Sequence, residues 1–517
     1  MADKKERENM LGQFINAGLM LSVNLFANAY GTSQEEYGGF SLVQSPDGGF
    51  VSVGGRLDPT FADEALAFKV NPLGQLVWQK TYGPLYDSDE DVYSVDRTDD
   101  GGYVTAGMYG AFGPSFYADA LVIKVNSSGG LVWAKTFGGA SDDAAECVIR
   151  TTDGGYAVVG FGMGAASADA FLVKLNSAGG LSWGKKFGGS GWDYPNQVIM
   201  TSDGGYAIAG YTNSAGAGND DFLILKTNSS GGLAWGMTFG GTSLEEASSI
   251  VETPDNGYIL VGGSASYGAG SYDFLVIKLN SSGNLLWART IGGSGSDWPY
   301  SVIPAIDGGY VIAGSTASFG AGGSDCFVVK ITEDGALSWA FTFGTNGSDV
   351  ARQVIRTSDG GYALTGSTYG IGSGGSDVLI IKFNADGTYP SCAVPCSPQV
   401  TDVLPASSSV TWDANYSPLL TDPSLNENSP SFSASYLCSP VSAGEFPPGN
   451  DEQAIRCVPF ARGLRFFSGT ETKLRLYRPD GRLVYTGTLL KGETRINLDK
   501  GVYLWSAGES SGVSAVR

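Results

Sequence analysis

The chain has 517 residues, 77 of them Gly, a net charge of −21 at pH 7 and no histidine. This length exceeds what one unrepeated core fills, and the absence of imidazole excludes Ser-His and Cys-His nucleophiles, histidine zinc sites and histidine pH switches together. The excess of 52 acidic over 31 basic residues argues against binding to nucleic acid or to an anionic bilayer, both of which need clustered cations.

Residues 10–29 are mostly apolar, and Ala27-Asn28-Ala29 has the small-x-small pattern of a signal-peptide cleavage site. Gln13, Asn16 and Asn24 interrupt the run, so it does not read as a membrane span. A second reading competes. Residues 25–31, LFANAYG, align with residues 132–138, VWAKTFG, inside a later repeat. Residues 1–29 are therefore either a signal peptide or an N-terminal closing strand.

Residues 30–389 repeat one unit seven times. Its hallmark turn, Asp-Gly-Gly-Tyr or a close variant, begins at Asp47, Asp100, Asp153, Asp203, Asp255, Asp307 and Asp359. Each unit carries four strand signals, in the fifth at residues 248–252, 258–262, 274–280 and 285–290. Tight hairpin turns separate the first two and the last two, and a Gly-rich loop lies between. Four short antiparallel strands, seven times over, predict an all-β fold: a seven-bladed β-propeller of four-stranded blades. The seventh unit lacks its Trp-bearing fourth strand, and residues 25–30 are a spare copy of one. A ring closed by the opposite terminus removes two free edges.

Repetition also sorts the side chains. Trp78, Trp133, Trp183, Trp235, Trp287 and Trp339 mark the fourth strands and read as inter-blade packing. Lys69, Lys124, Lys174, Lys226, Lys278, Lys330 and Lys382 mark the third strands and read as buried stems paired with an acid. Two acidic series fall at one end of the blades. Glu90, Asp143, Asp193, Glu245, Asp297 and Asp349, with Glu36 displaced, precede the first strands; Glu64, Asp119, Asp169, Asp221, Asp273, Asp325 and Asp377 open the third. They suit turn capping, or Ca²⁺, for which Asp143, Asp193, Asp297 and Asp349 are the candidate ligands; no other cofactor is expected. The same end collects aromatics, in Trp192-Asp193-Tyr194 and Asp297-Trp298-Pro299-Tyr300, and in loops at Phe112, Phe116, Tyr117, Tyr267, Phe319 and Tyr369. The expected ligand-binding residues on this loop-rich face are Trp192, Asp193, Tyr194, Asp297, Trp298 and Tyr300.

Residues 390–450 turn rich in Pro, Ser, Asn and Thr and read as an extended linker. Cys392, Cys396, Cys438 and Cys457 fall in or beside it and suggest one or two disulfides in an oxidising compartment, while Cys147 and Cys326 read as core residues. Residues 451–517 alternate again and predict a small C-terminal Ig-like β-sandwich.

Here the chain resembles a family. Residues 474–487, LRLYRPDGRLVYTG, and 496–505, INLDKGVYLW, look like the C-terminal sorting domain of type IX secretion cargo, with residues 455–460 similar to its entry strand. The resemblance implies export by that secretion machinery and attachment at, or release from, the outer cell surface. Ig-like modules of other surface proteins share the pattern. The repeats are similar to Gly-rich repeat propellers of bacterial extracellular proteins, a group with no single activity to carry over.

Three functions follow as expectations. The first is a secreted or surface-bound, non-catalytic scaffold for carbohydrate or protein. The second is a self-associating subunit of a surface layer or filament. The third is a glycan hydrolase or lyase using paired carboxylates such as Asp193 and Asp297.

Overall fold

The computed structural model describes residues 25–410, apart from 33, 58–62, 84–89, 111–117, 140, 165–166, 373–374 and 386–392, and beyond 410 only the strands. Two compact units emerge: Leu25–Cys438, and Met1–Asn24 with Ser439–Arg517. Residues 1–24, the body of the expected signal peptide, lie outside the described residues.

The first unit is a seven-bladed propeller without helices among the described residues. Blade 5 shows how the sequence dictates a blade. Its first strand, Glu245–Glu252, pairs with Tyr258–Ser264 across a turn in which Asn256 adopts φ 59° and Asn256 N–H donates to the Thr253 carbonyl at 2.8 Å. Asn tolerates that left-handed backbone where most residues do not. The third strand, Asp273–Leu279, is apolar on both faces and wholly buried. The fourth, Leu285–Gly292, alternates buried and exposed positions, as an outer strand should.

No blade can hide its own apolar faces. Among the described residues the core is accordingly seven separate clusters, each filling the seam between two adjacent blades. This is why a tandem repeat must close on itself. The last seam closes through residues 26–31. Phe26–Gly31 pairs antiparallel with Asp377–Phe383 and becomes the fourth strand of blade 7. Phe26 takes the place of the repeated Trp. It packs over Gly74 of blade 1, just as Trp78 packs over Gly129 and Trp133 over Gly179 of the next blade.

The first strands line the central axis, each next to the first strands of its two neighbours. Side chains, not strand ladders, tie them together. Ser41 Oγ accepts from Val95 N–H and Ser94 Oγ from Val148 N–H, both at 3.1 Å. Ser249 and Ser301 repeat the contact with Val302 and Val354. Gln197 Oε1 accepts from Ile250 N–H at 2.6 Å, and Gln353 Oε1 accepts from Leu42 N–H across the closing seam. At the other rim, the third-strand lysines each pair with the turn aspartate of their own blade, as in Lys124–Asp100 at 2.7 Å and Lys226–Asp203 at 2.9 Å. The fourth-strand tryptophans meet the next blade's tyrosine, Trp235 and Tyr258 having ring centroids 5.8 Å apart.

The segment read as a linker does something its composition did not suggest. It runs backwards around the whole ring and lends every blade a fifth, outermost strand. Ala393–Pro395 pairs with blade 6, Gln399–Asp402 with blade 5 and Ala406–Val410 with blade 4. Ala414–Asn415, Leu419–Thr421 and Asn426–Asn428 follow on blades 3, 2 and 1, and Ser433–Tyr436 ends against Phe26–Gly31. The physical reason lies in the blades. Each outer strand leaves an unpaired row of N–H and C=O groups, and a Pro/Ser-rich chain already extended loses little entropy by pairing with it. Val400 and Cys396 pack against the cluster between blades 5 and 6, and Val410 is buried in that between blades 3 and 4. Cys396, one of the four cysteines expected to supply one or two disulfides, is a free thiol. Cys392, Cys438 and the side chain of Cys457 lie outside the described residues.

Gly236 marks the fit, since a β-carbon there would come within 2.4 Å of Val410 Cγ2. The substitution Gly236→Val is expected to lift the 406–410 strand and raise amide exchange at its ladder at least about tenfold, with a much smaller effect on blades 1 and 2. Unchanged exchange at 406–410 would show that this strand does not dock there.

The described strands of the second unit form two antiparallel sheets. Arg456–Phe460, Gly463–Ser468 and Gly492–Asn497 form one. Leu483–Leu489, Thr472–Tyr477, Gly501–Ala507 and Ser510–Val516 form the other.

Candidate functional site

Every first strand of blades 2 to 7 carries a one-residue bulge at the same step, and blade 1 a wider irregularity there. A bulged residue leaves the ladder and its side chain is re-aimed. The residues so displaced are Phe40, Tyr93, Glu146, Asn196, Ser248, Tyr300 and Arg352, one per blade. They form a collar around the axis. Arg352 lies over the Tyr300 ring at 4.3 Å and over Phe40 at 5.6 Å, and Phe40 meets Tyr93 edge-on at 5.5 Å. Asn196 Nδ2 donates to the Ala247 carbonyl at 2.7 Å.

Closer to the loop end, blades 3 to 5 carry a denser arrangement. Tyr194, on the first strand of blade 4, stacks on Trp192 at 5.8 Å and on Tyr211 at 5.2 Å, with interplanar angles of 23° and 28°. Phe161 of blade 3 closes its edge at 4.6 Å. Trp192, at the end of the row, stays 40% exposed. Its backbone is fixed by Asn213 Oδ1, which accepts from Trp192 N–H at 2.7 Å.

Three carboxyls surround this row. Burial pushes Glu146 up to about 7 and raises Glu246 and Asp220 as well. Burial, with Glu146 and Asp220, pushes Tyr194 up to about 12, and Tyr211 rises through burial with Glu246, Asp220 and Glu146 nearby. Among the described residues no Lys or Arg forms an ion pair with any of the three. Desolvated carboxyls without a counter-cation, held beside aromatic rings on rigid strands, are what a binding site looks like before its ligand arrives.

Strand alternation decides where the sequence-predicted residues go. Trp192, Tyr194, Trp298 and Tyr300 stand on the axial side at or near the loop end. Trp298 packs over Gly263 and meets Tyr272 at 5.0 Å. Asp193 and Asp297 point the other way, into the seams, and are fully buried. This corrects their reading as surface contacts. Asp297 accepts from Gly293 N–H at 2.8 Å, Ser318 Oγ at 2.7 Å and Thr316 Oγ1; Asp193 accepts the equivalent set from Gly189, Ser214 and Thr212. They occupy separate seams, so they do not form an acid–base pair across one bond.

Each seam acid meets a third-strand acid of the preceding blade. Above Gly292, Asp273 Oδ1 and Asp297 Oδ2 lie 1.9 and 2.7 Å from where a β-carbon would be, and above Gly138 Asp119 and Asp143 converge likewise. Only Gly leaves room for both carboxyls. Burial raises Asp143 to about 6 and Asp325, the partner of Asp349, to about 6. The candidate Ca²⁺ ligands Asp143, Asp193, Asp297 and Asp349 thus fall in four different seams, and no group of three or more metal-binding side chains occurs among the described residues.

Of the loop aromatics, Phe319 folds down on Phe327 at 5.8 Å, Tyr267 donates to the Gly240 carbonyl at 3.1 Å and Tyr369 is exposed. Phe112, Phe116 and Tyr117 lie outside the described residues. Sequence reasoning passed over Glu146, Asp220, Glu246, Phe161, Tyr211 and Arg352. A signal was present: the position three residues after the strand-opening acid holds Tyr93, Glu146, Asn196, Ser248, Tyr300 and Arg352, and varies in kind where its neighbours repeat.

The profile of a family described as a β-propeller domain of unknown function, DUF5122, matches residues 255–285, from the hallmark turn of blade 5 into its fourth strand. No curated protein matches the chain in sequence. Among solved structures, Sqt1 from Chaetomium thermophilum is 12% identical with a TM-score of 0.40, over 71% of this chain and 88% of that one. A eukaryotic initiation factor is 9% identical with a TM-score of 0.34, over 75% and 98%. PorZ, a surface component of the type IX secretion system of Porphyromonas gingivalis, is 10% identical with a TM-score of 0.18, over 94% and 100%. No helix among the described residues is long and apolar enough to cross a membrane.

Proposed function

We propose that the protein is a secreted or cell-surface scaffold that binds carbohydrate or protein at the loop end of its propeller, without catalysing a reaction. The observation that carries this reading is the row Trp192, Tyr194 and Tyr211, with Glu146, Asp220 and Glu246 around it and Trp192 exposed at its end. Aromatic platforms beside polar groups on a rigid frame recognise ligands at little ordering cost. Export rests on the C-terminal strands with their sorting-domain-like sequence, which would engage the secretion machinery. Against the filament reading, the outer edges of the blades are already paired by the 393–436 belt, which removes the simplest route to strand addition between copies.

The test is glycan- and protein-array binding by the whole chain, compared with a Trp192→Ala, Trp298→Ala double variant. Binding that falls at least about tenfold in the variant is expected, from loss of ring contacts worth about 1–2 kcal/mol. Equal binding by both would place the ligand elsewhere.

A further inference from the structure

We propose that the aromatic–carboxylate arc on blades 3 to 5 takes a glycan that carries free amino groups. This rests on the binding-surface reading above and gives its ligand a chemical class.

The first argument is charge. A site made for neutral sugars mixes donors and acceptors, because each hydroxyl is both. This one offers carboxyls: Glu146, Asp220 and Glu246, all partly or largely enclosed, none with a Lys or Arg partner among the described residues. Arg352 is committed to the faces of Tyr300 and Phe40 further round the collar. A ligand ammonium would supply the missing counter-charge, and the chain's overall charge of −21 steers cations towards it while repelling acidic polysaccharide.

The second argument is shape. A lone ammonium, such as a lysine side chain, is best held in a cage of rings facing one point. Here the rings of Trp192, Tyr194 and Tyr211 are stacked on one another, and the ring at the end of the stack, Trp192, belongs to a residue that is 40% exposed. A single flat face suits the apolar side of a pyranose ring. The sugar's ammonium would then reach the carboxyls beside Tyr194 and Tyr211, namely Glu146, Asp220 and Glu246.

The third argument is placement. Tyr194, Glu146 and Glu246 stand on first strands, and Phe161 and Tyr211 on second strands, so the arc is held by ladder and seam. Such a site binds without first being ordered.

The test is calorimetric titration of the whole chain with four probes: the β-linked glucosamine hexamer, its N-acetylated counterpart, cellohexaose and a lysine-containing hexapeptide. The glucosamine hexamer is expected to bind at least about tenfold tighter than either neutral hexamer. Glu146→Gln and Glu246→Gln, each shown to keep the parental thermal midpoint, are expected to weaken it about fivefold or more and to narrow its preference over cellohexaose. If the neutral hexamers bind as well as the amino sugar, the surface reading stands and the ammonium assignment is overturned. Binding of the peptide alone overturns the glycan assignment. If none of the four binds and the arrays are also blank, both proposals fall.

Discussion

Removal of residues 1–31 is expected to abolish the cooperative thermal transition of the propeller. Three contacts make this the most damaging small deletion available. Phe26–Gly31 pairs on one side with Asp377–Phe383 and on the other with Ser433–Tyr436, so its loss strips two ladders. Tyr30 is fully buried, donates its hydroxyl to the Gly74 carbonyl at 2.6 Å and packs on Phe68 at 5.2 Å. Phe26 fills the seam between blades 7 and 1 against Phe50. In a ring whose core is divided among its seams, opening one seam exposes the apolar faces on both sides and leaves the other seams with a free end. The point variant Tyr30→Ala separates packing from chain loss. It should destabilise by about 3–5 kcal/mol, as large-to-small core changes do, and leave binding at the loop end measurable below its lowered midpoint. A deletion variant that melts like the intact chain would show that blade 7 is complete without this strand. The same experiment bears on leader cleavage, since cutting after Ala29 would take four of the six strand residues, including Phe26, and spare Tyr30.

The propeller was legible because its signals are local and repeated. A turn that needs Asn or Gly, a third strand apolar on both faces and a Trp-bearing fourth strand recur at near-constant spacing, and each copy supports the others. Closure was legible as one of two readings, because residues 25–31 imitate a fourth strand down to the terminal Gly. The belt was not. Its strands are two to five residues long and mostly polar in sequence, and it pairs with partners up to several hundred residues away; composition alone reports such a segment as a linker. Around the candidate site the sequence placed the right stretches at the right end, but not the right faces. Asp193 and Tyr194 are neighbours in sequence and point to opposite sides of a strand. The collar depends on a bulge at each first strand, which shifts the alternation by one residue, and nothing in Tyr93, Glu146 or Arg352 taken singly announces that shift.

The seam carboxyls should make the ring more stable in mild acid than at neutral pH. Burial raises Glu36, Asp119, Asp193, Asp221 and Asp273, and takes Asp143 and Asp325 to about 6. An unfolded Asp titrates near 4. Between about 4 and 6 the folded ring therefore holds protons that the unfolded chain has released, and stability falls as pH rises through that window. The turn aspartates act in the opposite sense but elsewhere. Lys124 and Thr98 hold Asp100 at about 2, and Lys278 and Thr253 do the same for Asp255, so their contribution is lost only as pH drops from about 4 towards 2. They are largely exposed, which keeps that contribution small. The thermal midpoint should thus be highest near pH 4, decline as pH rises to about 6, and stay at the lower level at pH 8. The variant Asp325→Asn tests the cause. Asp349 Oδ1 is buried without a hydrogen-bond partner among the described residues, and Asp349 helps to raise Asp325, so an amide at 325 removes one of two neighbouring buried carboxyls. The variant should gain on the order of 1–2 kcal/mol at pH 8, gain little at pH 5, and show a flatter pH profile. A midpoint that rises from pH 5 to pH 8, or an Asp325→Asn variant less stable than the parent at pH 8, would mean that the paired carboxyls stay ionised in the fold and that some unrecognised cation compensates them.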